Sequence, residues 1–397
     1  MVSASIGYRM RMPSTRHQSP GKIEITPTVT VADHDDLSRV YTPGVADAVE
    51  RAAADDSVVP RVTGLGNRIF VVTDGSAILG LGDVGPRAGL AVMEGKSALF
   101  KSLAGIDAWP LPLASRGVDD LVHTIRDVSV GVGGINLEDI AAPRCFELVR
   151  RLEDELDVPV FHDDQHGTAI VVLAALHNAL RVVGKRLGDV SVVVSGAGAA
   201  GSAVSRLLLD QGVRRLVVCD SDGALHPGRD LDGEKAWLAE HTNPEGATGD
   251  LAACLENADV LIGVSVSGIV DEDMLRSMSD GAILFGLANP DPEFDPETAR
   301  HHGAVVATGR SDLPNQINNV LAFPGVFRGL LDAPVRRVDG GVLAAAADAI
   351  ASLVDEPGPE AIVPDVFDER LVDRVAAAVA ASVQGLSDVT RRAVDEA

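Results

Sequence analysis

Residues 190–220, VSVVVSGAGAAGSAVSRLLLDQGVRRLVVCD, constrain this chain more than any other segment. A continuous run of β-branched residues stops at a glycine turn. An amphipathic stretch with helical spacing follows, and then a second apolar run. The turn carries Gly196, Gly198 and Gly201 in the spacing G-x-G-x-x-G. Glycines there permit a tight turn and close backbone approach, and the N-terminus of the next helix favours a pyrophosphate. The segment predicts a dinucleotide-binding strand–helix–strand unit, with Gly196, Ala197, Gly198, Ala199, Ala200 and Gly201 as cofactor contacts. Asp220 closes the second strand, 24 residues after Gly196, where a carboxylate can bond a ribose 2′-OH. Ser221 and Asp222 follow with no adjacent Arg or Lys, and Arg214 and Arg215 stand before the strand. NAD is therefore favoured over NADP. Gly80, Gly82 and Gly85 match the same spacing, but Pro86 and Gly89 argue against a helix immediately after them.

Short apolar runs alternate with amphipathic stretches twice, from about residue 60 and again from about 190. This predicts an α/β fold of two domains: 1–165, mostly parallel and with residues 1–21 as an arm, and a Rossmann-type domain over 166–397. Ala-rich helices within 341–397 are expected to pack back on the second domain. The formal charge of −24 argues against nucleic acid and acidic lipid as partners. Cys145, Cys219 and Cys254 form no C-x-x-C pair, which fits reduced thiols. The start of the chain has no apolar core of a signal peptide, and no apolar run reaches the ~18 residues of a membrane span. A cytoplasmic protein is expected.

The stretch VFHDDQHGTAI, 160–170, resembles a zinc-protease motif at first sight. The residues before it form a strand, so His162 and His166 straddle a strand-to-helix junction and the helical ligand geometry fails. Asp163 and Asp164 sit at the strand's C-terminal end, where open α/β sheets bind ligands. Neighbours in extended chain point to opposite sides, so the two carboxylates can serve different groups. Glu138 and Asp139 end another strand-like run. Two acidic strand ends in one domain suggest a hard divalent cation, Mg²⁺ or Mn²⁺.

The chain resembles the malic enzyme family in its shorter bacterial form. The resemblance rests on YTPGVA (41–46), the segment 72–107 with DGSAILGLGD and MEGK, GINLEDI (134–140), FHDDQHGTA (161–169), GAGAAG (196–201), LANP (287–290) and NQINNVLAFPGVF (315–327). It implies oxidative decarboxylation of L-malate to pyruvate and CO₂ with reduction of NAD(P). It further implies Glu138, Asp139 and Asp164 as metal ligands, Lys96 as general base with Asp163 beside it, and Tyr41 as general acid. Asn289 and one or both of Asn318 and Asn319 would bond nicotinamide or malate. A homodimer with exchanged N-terminal segments is implied as well. A lysine base must be neutral, so its site is expected to favour the uncharged amine. Lys101 ranks below Lys96 in that role. The larger relatives carry a substrate-gripping arginine before ILGLGD, where this chain has Ala77; Arg16, Arg39, Lys101 or a partner's residue are the substitutes considered. The rival readings are a metal-independent two-domain amino-acid dehydrogenase, a non-catalytic NAD(H)-sensing module, and oxaloacetate decarboxylation without net redox.

Overall fold

The computed structural model describes residues 21–78, 80–333 and 335–382. Two sheets carry the strands. The first holds β1 (Arg68–Thr73), β2 (Asp107–Pro112), β3 (Gly134–Leu137) and β4 (Val160–His162), in the parallel order β2-β1-β3-β4. The second holds β5 (Ser191–Ser195), β6 (Arg215–Asp220), β7 (Gly223–Ala224), β8 (Val260–Gly263), β9 (Ala282–Gly286) and β10 (Gly303–Thr308). Its order is β10-β9-β8-β5-β6-β7, parallel except for the β6–β7 hairpin. β8 and β9 are buried throughout, as strands covered by helices on both faces must be. The chain leaves β5 toward β6 and later returns to β8 on the other side. This reversal opens a crevice at the strands' C-terminal ends.

The helix Pro86–Ala104 starts directly after Gly85, contrary to the sequence expectation. Gly85 turns the chain at φ +82°, and Pro86 occupies a first-turn position whose N–H would have no partner. Gly89 is tolerated because Ile78 packs there; a Cβ would come within 2.9 Å of its Cδ1.

Between the sheets, a π-helical turn at Asp163–Gly167 runs into the helix Thr168–Val183. Together they make 21 residues, within which an 18-residue window has a mean hydropathy of 1.4, long and apolar enough to cross a membrane, which the sequence reading did not foresee. The fold buries 67% of that apolar window, so it serves as a core helix between two sheets. Far along the chain, the helix Phe323–Asp332 returns to the first sheet. Phe323 and Phe327 meet Phe100 at 4.7 and 5.3 Å between ring centres, and Phe327 meets Phe161 at 5.6 Å. By contrast, the helices His34–Val40 and Val45–Ala54 bury no residue.

Candidate active site

β3 and β4 are neighbours in register, with Leu137 opposite His162. The residues that follow, Glu138-Asp139 and Asp163-Asp164, therefore emerge side by side at one sheet edge. From the helix Pro86–Ala104, Lys96 reaches between them. Its Nζ lies 2.9 Å from Glu138 Oε1 and 2.7 Å from Asp163 Oδ2, over the Phe323 ring at 3.9 Å. Glu138 and Asp163 are buried, and the Lys96 side chain is nearly so at 12% exposed. Asn136 donates to Glu138 Oε1, and Asn319 donates to Asp163 Oδ2 at 2.9 Å and to the Asp163 carbonyl. Asp164 turns the other way and accepts from the Asp139 backbone N–H at 3.0 Å. The Asp139 backbone is left-handed at φ +55°, and its carbonyl accepts from Ala77, tying the 74–85 loop to the cluster.

Electrostatics sharpen this picture. Burial pushes the Glu138 carboxyl well above the usual range; Lys96 opposes this, and Asp163, Asp164 and Asp139 add to it. Burial, then Asp163, lifts Asp164 to about 6. For Lys96, burial alone would favour the neutral amine, but Asp163 and Glu138 outweigh it and raise its pKa. The expectation of an uncharged lysine thus fails for the protein alone, because two carboxylates face the ammonium directly.

Four acidic side chains around one lysine leave a deficit of positive charge. Asp163 Oδ1 and Asn136 Oδ1 are also buried without a hydrogen-bond partner. An oxygen-rich, electron-rich pocket of this kind fits a hard divalent cation. Among the described residues, no three such groups already stand in a ligating arrangement. Glu138 turns its Oε1 toward Lys96 and Asn136. His162 and His166 are held neutral by burial, at about 4 and about 3, and His166 Nδ1 accepts from the His162 N–H.

At the second sheet, the helix Ala199–Asp210 opens on the glycine turn. Gly196 adopts φ +117°, and a Cβ on Gly201 would stand 1.8 Å from the Gly196 carbonyl oxygen. Asp220 ends β6; no Arg or Lys is adjacent to it in sequence, but two cations reach it in space. Arg229 grips its carboxylate with two bonds of 2.9 and 3.0 Å, Lys235 adds one of 2.7 Å, and the Asp222 N–H adds another. Burial would raise its pKa, but the bonds from Arg229 and Lys235 hold it at about 2. These cations lie 9 and 15 residues downstream; the β6–β7 hairpin and the helix Gly233–His241 bring them back.

Other expected residues are placed less centrally. Tyr41 caps the helix His34–Val40 with its ring 67% exposed, away from the hydrogen bonds and ion pairs of the cluster. Asn318 spends its side-chain oxygen on the Val320 N–H, and Asn319 is committed to Asp163. Asn289 is exposed at a cis Asn289–Pro290 bond, its carbonyl against Gly80. Lys101 pairs with Asp107 and Arg39 with Asp36, both at the surface; Arg16 lies outside the described residues. Sequence reasoning missed Arg144, which pairs with buried Asp74 at the root of the 74–85 loop. Its position five residues after Asp139 was the available signal.

A doubly wound dinucleotide crevice and a buried lysine–carboxylate cluster define a two-domain α/β enzyme. Family descriptions agree: "malic enzyme, N-terminal domain" matches residues 20–116 and "malic enzyme, NAD binding domain" matches 165–386. The NAD-dependent malic enzyme of Geobacillus stearothermophilus is 49% identical over 364 residues, covering 90% of this chain and 76% of that protein. The bifunctional malic/malolactic enzyme of Bacillus subtilis is 50% identical over 91% of this chain and 89% of its own length. A crystal structure of the NAD-dependent malic enzyme from Thermotoga maritima superposes with a TM-score of 0.88 at 45% identity, covering 91% of this chain and 96% of that one. The chain belongs to the malic enzyme family.

Proposed function

We propose that this protein oxidatively decarboxylates L-malate to pyruvate and CO₂, reducing NAD or NADP with Mg²⁺ or Mn²⁺ present. The observation that carries this reading is Lys96 Nζ held between Glu138 and Asp163 at the sheet edge. Relatives named NAD-dependent and NADP-dependent malic enzymes support the dinucleotide. The reading divides the chain near residue 165, with Glu138, Asp139 and Asp164 as the oxygen ligands. A divalent cation held by these carboxylates would supply Lewis acidity at the malate oxygens, and a dinucleotide bound at the Gly196 turn would supply the hydride acceptor. Lys96 takes the C2 hydroxyl proton. Were Glu138 to serve as a ligand, one of the two carboxylates that hold Lys96 as an ammonium would be drawn off, which would favour the amine. Asp163, fixed by Asn319, keeps Nζ in place. Loss of C4 as CO₂ leaves an enolate whose C3 needs a proton, and Tyr41 donates it. Because Tyr41 is exposed between the helices His34–Val40 and Val45–Ala54, which bury no residue, the reading has it supplied to the site of a second copy in a homodimer. Arg144 is the cation offered for a malate carboxylate.

At the ribose, Asp220 already accepts four bonds, which fills a carboxylate's capacity. Its engagement weakens the case for NAD alone, and Lys235 gives a 2′-phosphate a partner. Both cofactors are therefore expected to turn over, and Lys235→Ala should lower kcat/KM for NADP about tenfold while sparing NAD. The deciding assay follows reduced cofactor at 340 nm with malate and Mn²⁺ for wild type, Lys96→Ala and Asp164→Ala. Equal rates in all three would overturn the assignment.

A further inference from the structure

Glu293 lies outside every motif considered so far, yet it is 0% exposed. Its Oε1 accepts from the Ser265 N–H at 2.7 Å, and its Oε2 accepts from the Ala288 N–H at 3.1 Å. One carboxylate therefore clasps the loops that leave β8 and β9. Neither loop is remote from the crevice. Val264, beside Ser265, sets its carbonyl against the glycine turn: a Cβ on Gly196 would come within 2.6 Å of it. Ser265 Oγ also meets Ser195 Oγ at 3.1 Å, where β5 ends. Ala288 precedes Asn289, whose carbonyl would stand 2.6 Å from a Cβ on Gly80. The room for the carboxylate is purpose-made. At Gly263 any Cβ would come within 2.4 Å of the Glu293 Cδ.

Burying a carboxylate without a cation is costly unless hydrogen bonds repay it. Here burial raises the carboxyl pKa, and the Ser265 and Ala288 bonds oppose that. No ion pair to Glu293 is found among the described residues, so backbone N–H groups of the two loops, with the Ser265 hydroxyl at 3.4 Å, are what hold it. A side chain with only a packing role would be apolar here.

We infer that Glu293 is a positioning residue: it fixes the dinucleotide turn at Gly196 and the amide of Asn289 at one separation by bonding both supporting loops. This rests on the reading of Asn289 and the crevice given above, but the test does not need malate turnover. Gln has the same shape, yet turns an NH₂ toward one of the two N–H donors. Binding of NADH and NADPH, followed by their fluorescence, should weaken about tenfold in Glu293→Gln and be partly restored in Glu293→Asp. Leu275→Ala, a buried change elsewhere in the same sheet's packing, controls for general destabilisation; it should lower the melting temperature and leave binding within about twofold. With malate, Glu293→Gln should raise KM for cofactor more than it lowers kcat. Binding by Glu293→Gln within twofold of wild type would overturn the inference. So would equal weakening in Leu275→Ala. A wild type that binds cofactor but does not oxidise malate would reject the proposed activity, and the binding comparison would still decide the role of Glu293.

Discussion

At Lys96 two roles can be pulled apart. It neutralises Glu138 and Asp163, and in the proposed reaction it moves a proton. Removing one partner of a buried ion pair leaves an uncompensated charge and costs about 3–5 kcal/mol. Lys96→Ala should therefore melt below wild type in chelator, and Mn²⁺ should raise its melting temperature more than it raises that of wild type. Activity should fall about 10³-fold, within the range for loss of a general base. A chelated variant as stable as wild type would refute the charge balance described here. The acidic pairs were legible in the sequence because each follows an apolar strand run. The choice of Lys96 over Lys101 came from the family resemblance; the structure gives Lys101 an exposed partner instead. The charge state of Lys96 was not legible, since it depends on two strands and a helix meeting. Arg229 and Lys235 escaped for the same reason: their approach to Asp220 exists only after a hairpin forms.

The helix Arg144–Glu155 and the helix Ala199–Asp210 do not close fully on each other. A cavity of about 670 Å³ lies between them, lined by Glu153, Gln165 and Ser202 among others. Burial lifts Glu153 to about 7, against the pull of Arg337 and with a push from Asp154. Its folded pKa lies above its unfolded value. Whatever it contributes to stability is thus fully present below about 4.5 and is lost as pH rises through about 7. Between pH 5.5 and 8 the melting temperature of wild type should fall more than that of Glu153→Gln, read by calorimetry in matched buffers. Parallel curves would place Glu153 in ordinary solvent. Among the elements, the βαβ unit was readable because period, turn and strand agree in one local segment. The helix at Pro86 was misjudged because proline and glycine were read as breakers, although a first-turn proline suits a helix start. The helix after the strand-to-helix junction was expected and forms at Thr168–Val183; the π-helical turn Asp163–Gly167 that leads into it was not, because its polar residues carry no helical period.

For the whole molecule, the proposed role of Tyr41 calls for a second copy of the chain. The N-terminal segment 21–54 that carries this tyrosine exposes Ile25 at 84%, Val49 at 60% and Tyr41 at 67%. In the proposed homodimer, a second copy would cover this apolar surface symmetrically. Exchange of this segment makes a prediction that no arrangement within one chain shares. Mix Tyr41→Phe with Lys96→Ala, each inactive alone, after dissociating and reassociating them. If Tyr41 serves the partner's Lys96, a mixed dimer carries one site with both defects and one site with neither. Random pairing makes half the dimers mixed, so about one quarter of wild-type activity should return. If Tyr41 serves its own chain, every site keeps one defect and no activity returns. Size-exclusion with light scattering on the mixture confirms that exchange has taken place. Deleting this segment should yield a monomer whose two sheets still melt cooperatively, because neither of its first two helices contributes a buried residue. Complementation absent from a mixture shown to have exchanged would place the acid within one subunit and leave the segment's apolar face to some other cover.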